Sequence, residues 1–362
     1  MALPTVGAIA ASCALAALLY LGAVRWFLRL RGERPERLTV RTADGWALAV
    51  HYRPARPRRY REPVLLCHGL ATSHLNLDFE PPYSLALAFA GAGFETFAVD
   101  WRGAGHSRPP PGRGRFDFDA DDLIERDAPA ALDLVLARAG AERAFWVGHS
   151  LGGLVGYAVA GGPGAARIGA LCALGSPVYF HHPPWLVRAM RLCRWLSWPY
   201  ALRQRLLSIA GAPFLGRAPL PFSDVLLNPK AIAPPVLRRI HANLIESVGH
   251  RLLKQLDDWS HLDRFCSRDG AVDYRGRLSD VRQPTLVLGG SADRLAPPSS
   301  IHGQLALLGP GDRTLMLFGT ENGEQLEYGH GDLLLGTGAP SEVYPRILTW
   351  FRERATPLPS AR

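Results

Sequence analysis

A serine framed by glycines, directly after a bulky apolar run and directly before a helix-like one, constrains this chain more than any other feature. The stretch is Val147-Gly148-His149-Ser150-Leu151-Gly152-Gly153. Ala144-Phe145-Trp146-Val147 reads as a buried strand, and Leu154-Val155-Gly156-Tyr157-Ala158-Val159-Ala160 continues as a helix. A strand-to-helix turn this tight forces the serine into a strained backbone conformation. Glycine at 148 and 152 lets the neighbouring backbone pass close by, and the hydroxyl is pushed out over the sheet edge. The stretch therefore reads as a nucleophile elbow with Ser150 as the nucleophile.

A serine hydroxyl is a poor nucleophile until an imidazole takes its proton, and that imidazole needs a carboxylate to fix its tautomer. Pro284-Thr285-Leu286-Val287-Leu288-Gly289-Gly290 reads as a buried parallel strand followed by the loop Ser291-Ala292-Asp293-Arg294, so Asp293 is the expected acid. Thr314-Leu315-Met316-Leu317-Phe318 reads as a final strand, and the Gly-rich loop beyond it carries Tyr328-Gly329-His330-Gly331-Asp332. His330 is the expected base, and Asp332 is assigned a structural role. The oxyanion of an acyl-transfer reaction needs backbone donors, each worth roughly a factor of 10² to 10³ in rate. The N–H of Leu151, after the serine, and the N–H of Leu70, in the turn after Pro63-Val64-Leu65-Leu66-Cys67, are the expected pair. His68 and His149 read as structural. No metal site is expected: the adjacent His181-His182 cannot present both rings to one ion as an i, i+4 pair can. No cofactor is called for.

Strand-like and helix-like runs alternate along most of the chain, which implies an α/β fold with a mostly parallel, doubly wound sheet. It opens on a hairpin around Asp44-Gly45, and helices are expected near residues 83–92, 119–139 and 341–354. Pro345 is tolerated in the first turn of the last of these. The expected organisation is an N-terminal membrane helix over residues 2–24, an Arg-rich linker over 25–37, and a core over 38–176 and 280–355. A helical cap inserted over 177–279 and a flexible tail over 356–362 complete it. The first part of the cap carries Trp185, Trp195, Trp198 and Tyr200 with Arg188, Arg191 and Arg194, a mixture that suits a membrane interface or a greasy substrate mouth.

The chain has 362 residues and a formal net charge of +9, and its basic residues are all arginine except Lys230 and Lys254. No basic stripe with interleaved aromatics accompanies this charge, so a nucleic-acid partner is not expected. The five cysteines show no C-x-x-C spacing and read as free thiols rather than a disulfide framework. Residues 2–24 carry no charge and, as a helix, are long enough to cross a hydrocarbon core of roughly 30 Å. Arg25, Arg29, Arg31, Arg34 and Arg37 follow the apolar run, the pattern of a single-pass anchor with the catalytic domain cytoplasmic. A secretory signal cleaved near Ala23 is the alternative.

Together these residues resemble the α/β-hydrolases, and within them the gastric and lysosomal acid lipases. His68-Gly69-Leu70, Ser84-Leu85-Ala86, Ala90-Gly91-Ala92-Gly93-Phe94, and Arg102-Gly103 with Ser107 match that branch's early core in order. Phe116-Asp117, Asp127, Pro129-Ala130 and Asp133 resemble its helix before the nucleophile strand. His330-Gly331-Asp332-Leu333, Gly336, Ala339-Pro340 and Tyr344 resemble its histidine loop and last helix. The likeness covers about residues 63–160 and 284–350. It implies an α/β-hydrolase fold, a Ser150, Asp293, His330 triad and oxyanion donors at Leu70 and Leu151. It departs at Leu151, where those lipases usually carry a polar residue, and in the cap and the N-terminus. The expected activity is hydrolysis of a carboxylic ester, of a small molecule or a lipid, through an acyl-enzyme. An acyltransferase, thioesterase or peptidase on the same fold, or a non-catalytic membrane interaction protein, are the rivals.

Overall fold

A computed structural model describes residues 6–180, 184–198, 201–216 and 223–359. The hairpin forms as expected: β1 (Glu36–Arg41) pairs antiparallel with β2 (Ala47–Arg53), and Gly45 sits in the turn with φ +87°. Six further strands follow: β3 (Val64–Cys67), β4 (Thr96–Val99), β5 (Ala144–His149), β6 (Ile168–Leu174), β7 (Thr285–Gly290) and β8 (Arg313–Phe318). The sheet order is β1-β2-β4-β3-β5-β6-β7-β8, and every pairing from β4 to β8 is parallel. The fold is the expected α/β one, with a mostly parallel mixed sheet of eight strands.

Alternation along the central strands divides the core into two layers, because successive side chains of a strand point to opposite faces. Leu65, Phe97, Trp146 and Val287 enter one buried cluster, while Leu66, Ala98, Val147 and Leu288 enter the other. Both faces are covered, which is why these strands read as continuous apolar runs.

Helix α1 (Val6–Phe27) precedes the sheet. Helix α2 (Leu85–Ala92) starts at Ser84, whose Oγ accepts the Leu87 N–H at 3.0 Å. The helix expected over 119–139 is interrupted: a turn of helix at Ala120–Asp122 passes into a widened π-turn at Leu123–Asp127 before α3 (Ala128–Ala139). Pro129 has no N–H to give the preceding turn, and buried Asp127 takes the Arg102 N–H and Nε–H at 3.0 and 2.8 Å. Helix α4 (Leu151–Ala160) follows β5.

Between β6 and β7 the chain builds α5 (Pro184–Leu196), α6 (Gln204–Gly211), α7 (Pro234–Asn243) and α8 (His250–Leu262). A short ribbon pairs Ala201–Leu202 with Val248–Gly249. Helices α9 (Pro298–Leu305) and α10 (Tyr344–Arg352) complete the core; α10 follows a π-turn at Ala339–Val343 and holds Pro345 in its first turn.

Three expectations change. The N-terminal helix extends to Phe27, and its last turns are docked: Leu21, Val24 and Leu28 pack on Ile209, Ala212 and Ala242. Tyr20 Oη donates to Ala210 O at 2.7 Å, and Asn243 Nδ2 donates to Leu28 O at 2.8 Å. Residues 2–5 of the expected span lie outside the described residues. The stretch read as a linker lies along the core, where Arg31 N–H donates to Glu80 and Arg53 donates to Glu33 O, each at 3.1 Å. The expected tail is pinned as far as it is described, with Thr356 N–H on Glu62 and Leu358 N–H on Arg59 O, both at 2.8 Å. Cap residues Trp195 and Trp198 are exposed, while Trp185 lines an open cleft beside Asp293 and Arg294. Tyr200 and His181-His182 lie outside the described residues.

Candidate active site

Four parallel strands end on the same edge of the sheet, and the loops that leave them carry every residue singled out for chemistry. Ser150 follows β5 with φ +52° and ψ −118°, a strained conformation for a residue with a side chain. The glycines around it answer to close approach. A Cβ on Gly148 would collide with the Gly152 carbonyl, and one on Gly152 would collide with the Cys67 carbonyl at the end of β3. The elbow is anchored by Ser150 N–H on Leu174 O at 2.8 Å. Ser150 is partly exposed, whereas His149 and Leu151 on either side are buried.

The acid and the base meet. His330 Nδ1 lies 2.8 Å from Asp293 Oδ2, and both side chains are buried. Asp293 Oδ1 accepts the N–H groups of Leu295 and Ala296, each at 2.8 Å, so the carboxylate is fixed from both sides. Burial alone would raise the Asp293 pKa, but the adjacent imidazole, its hydrogen bond and the two amides outweigh it and hold the carboxyl below its ordinary value. The two loops are also tied through the backbone: Ala292 N–H donates to Tyr328 O at 2.9 Å. Among the described residues no hydrogen bond joins Asp332 to His330; it accepts N–H groups from Gly329 and Asn228 at 2.7 and 2.8 Å. Burial pushes its carboxyl up to about 7.

Leu70 and Leu151 line one small cavity of about 30 Å³, with Ala71, Trp101, Phe118 and Leu123 from the core and Val248 and Leu252 from the cap. Leu151 is the first residue of α4, where a helix leaves its leading N–H groups without intrahelical partners. Neither amide donates to a protein acceptor among the described residues. The loop that carries Leu70 is braced by Gly69 N–H on Asn76 Oδ1 at 3.1 Å. His68 bonds Gly69 O through Nδ1 at 2.8 Å and accepts the Trp101 N–H on Nε2 at 3.1 Å, a neutral ring held inside.

Two supporting residues, Gly175 and Asn76, escaped the sequence reading, and a third, His149, was read there as structural. Gly175 (φ +54°) turns the chain after β6, and a Cβ there would stand 3.2 Å from His330 Nδ1 and 3.3 Å from Asp293 Oδ2. Leu174-Gly175-Ser176 at a strand end was the available signal. His149 lies between two acceptors, Asn76 Oδ1 at 2.9 Å and His330 O at 3.1 Å, and as a neutral ring donates its one proton to one of them. For Asn76 the sequence held no cue.

The family model described as alpha/beta hydrolase fold matches residues 62–320. Over 137 residues the chain is 33% identical to gastric triacylglycerol lipase of Bos taurus, covering 35% of this chain and 34% of that protein. The chain thus spans about a third of the length of this curated relative. Among solved structures, a soluble variant of monoglyceride lipase from Saccharomyces cerevisiae, in complex with a substrate analogue, is similar with a TM-score of 0.62. It is 17% identical, with 91% of this chain and 98% of that one covered. An esterase from Thermogutta terrifontis is similar with a TM-score of 0.58 at 18% identity, covering 89% and 100%. These two likenesses concern the fold.

Proposed function

This chain belongs to the alpha/beta hydrolase fold family, and on that premise we propose that it is a serine hydrolase that cleaves carboxylic esters of lipids through an acyl-enzyme. The observation that carries the reading is the buried Asp293–His330 pair on the sheet edge from which the strained Ser150 elbow projects. In this mechanism Asp293 keeps the His330 Nδ1 proton in place, so that Nε2 is free to take the Ser150 hydroxyl proton as Oγ attacks the ester carbonyl. The amides of Leu70 and Leu151 hold the oxyanion. His330 then gives its proton to the leaving alcohol, the acyl group stays on Ser150, and water drawn through the same imidazole releases it.

Helix α1 places this chemistry at a membrane in the same proposal. Its 22 residues are roughly 33 Å long at about 1.5 Å per residue, and the part before the docked turns that begin at Tyr20 is the part open to lipid. A signal sequence meets the same length and composition test. What favours an anchor is the packing of Leu21, Val24 and Leu28 on the cap, a contact that cleavage would strip away. Exposed Leu206, Leu207 and Phe214 stand on the segment that receives α1 and add apolar surface beside it. The catalytic core then sits on the arginine-rich, cytoplasmic side.

A panel of p-nitrophenyl esters from acetyl to octanoyl tests the substrate class. Each accommodated methylene contributes about 0.8 kcal/mol, or about fourfold in kcat/KM. Wild-type rates should rise with chain length, and Leu252→Ala, which opens the cavity beside Leu151, should raise the octanoyl-to-acetyl ratio further. Absence of turnover on every ester would overturn the activity. A preference for acetyl unchanged by Leu252→Ala would overturn the lipid assignment.

A further inference from the structure

Behind the loop that carries Leu70, three imidazoles converge on one carboxylate. Asp100, directly after β4, is fully buried. His51 Nε2 of β2 lies 3.0 Å from its Oδ2, and His74 Nδ1 lies 2.9 Å from its Oδ1. His106 Nδ1 lies 3.6 Å from Oδ2, with 46% of that side chain exposed. One donor atom from each of the four residues lies within 4.8 Å of all the others. We propose that His51, His74, Asp100 and His106 form a binding site for one zinc ion.

The donor chemistry favours this over a plain hydrogen-bond cluster. Asp100 is already supplied by the backbone: His74 N–H donates to Oδ1 and His106 N–H to Oδ2, each at 2.8 Å. Those two amides and the rings of His51 and His74 fill the roughly four acceptor positions of the carboxylate, and His106 Nδ1, at 3.6 Å, faces the cluster as a third imidazole beyond hydrogen-bond distance. The rings of His51 and His74 are stacked with centroids 3.4 Å apart and planes within 13°, so one ring must tilt for both in-plane lone pairs to meet a single ion. Neutral imidazole and ionised carboxylate are the forms that bind a metal. Three nitrogens and one oxygen suit zinc and neighbouring transition ions, not magnesium or calcium. A tetrahedral zinc with bonds of about 2.0–2.1 Å holds its donors roughly 3.4 Å apart, so the widest pair must close by about an ångström or more. Half-exposed His106 gives the ion its way in.

Four protein donors close the coordination sphere, which marks a structural rather than a catalytic ion. Such an ion would clamp the stretch from His68 to Asn76 to β2 and to the turn Trp101-Arg102-Gly103-Ala104-Gly105-His106-Ser107. Gly105 lies so close to the Asp100 carboxylate that a Cβ there would collide with it. Sequence spacing gives no hint, since the donors fall at 51, 74, 100 and 106 on four different segments.

The test uses the untagged full-length chain, stripped with a chelator and titrated with zinc chloride, with metal content and thermal midpoint measured together. The expected result is one zinc per chain and a midpoint raised by several degrees, with no effect of magnesium. His106→Ala, the variant least demanding on packing, should weaken zinc binding by at least about tenfold, and His51→Gln likewise. Changing His181 and His182 together to alanine should leave it intact. No stoichiometric zinc, or zinc retained in both His106→Ala and His51→Gln, overturns the site, as does zinc lost only with His181 and His182. Neither readout depends on ester hydrolysis, so the site and the proposed activity fail separately.

Discussion

His149 Nε2 stands 3.1 Å from the main-chain oxygen of His330, with the two rings 4.7 Å apart between centroids. The residue before the nucleophile thus touches the backbone of the base, while its Nδ1 faces Asn76, which braces the loop of Leu70. Burial holds the His149 pKa down to about 3, so the ring is neutral and carries a single proton between two oxygens. That proton can bond only one of the two oxygens at a time, so the side chain donates to one loop and packs against the other, holding the elbow between them. That rigidity is what a preorganised site requires.

Neutral buried imidazoles make the fold sensitive to acid. Burial lowers the His68 pKa from 6.5 to about 4, and the ring accepts the Trp101 N–H on Nε2, a bond that protonation would break. The unfolded chain takes up this proton near pH 6.5 and the folded chain only near pH 4. The stability contributed by neutral His68 is therefore fully present above about pH 6.5 and lost as pH falls toward 4. The shift corresponds to roughly 3 kcal/mol. Urea midpoints should fall over this window in the wild type and fall less in His68→Gln; equal slopes would refute the assignment.

The strain at Ser150 has a measurable signature. A residue with a Cβ at φ +52° is destabilised by about 1–3 kcal/mol, and glycine relieves most of that while giving back up to about 1 kcal/mol of chain entropy. Ser150→Gly should therefore melt about 2 °C or more above Ser150→Ala, which keeps the Cβ. A Ser150→Gly protein less stable than Ser150→Ala would show that the elbow is not strained.

The anchor is tested by extraction. Membranes containing the full-length protein should retain it through alkaline carbonate. Deleting residues 1–27 should release the catalytic core and leave it in need of detergent, because Ile209, Ala212 and Ala242 lose their cover. Recovery of full-length protein in the carbonate supernatant would count against a spanning α1.

The scaffold is legible in the sequence because buried parallel strands must be apolar along their whole length, and each of the runs ending near Cys67, Val147, Gly290 and Phe318 is a strand leading into a loop of the site. Asp293 and His330 can be paired from the sequence alone because both follow such runs in chain order. What stays hidden depends on contacts between segments far apart in the chain. Gly175 beside His330, Asn76 under Gly69, and the ring of His51, His74 and His106 around Asp100 have no local pattern to betray them. The docking of α1 is hidden for a different reason: apolar on every side up to Arg25, it gives no sign of which face meets the cap. The π-turn at Leu123–Asp127 follows from Pro129 and from a buried ion pair with Arg102, of which only the proline is visible locally.

The proposed chemistry depends on Ser150 being a nucleophile activated by His330. Incubation of the full-length protein with a fluorophosphonate probe, followed by digestion and mass spectrometry, reads this directly. The expected result is one covalent adduct, on the peptide that carries Ser150, absent from Ser150→Ala and formed at least about a hundredfold more slowly in His330→Ala. An adduct on a different serine, or ester turnover that survives in Ser150→Ala at the wild-type rate, would overturn it.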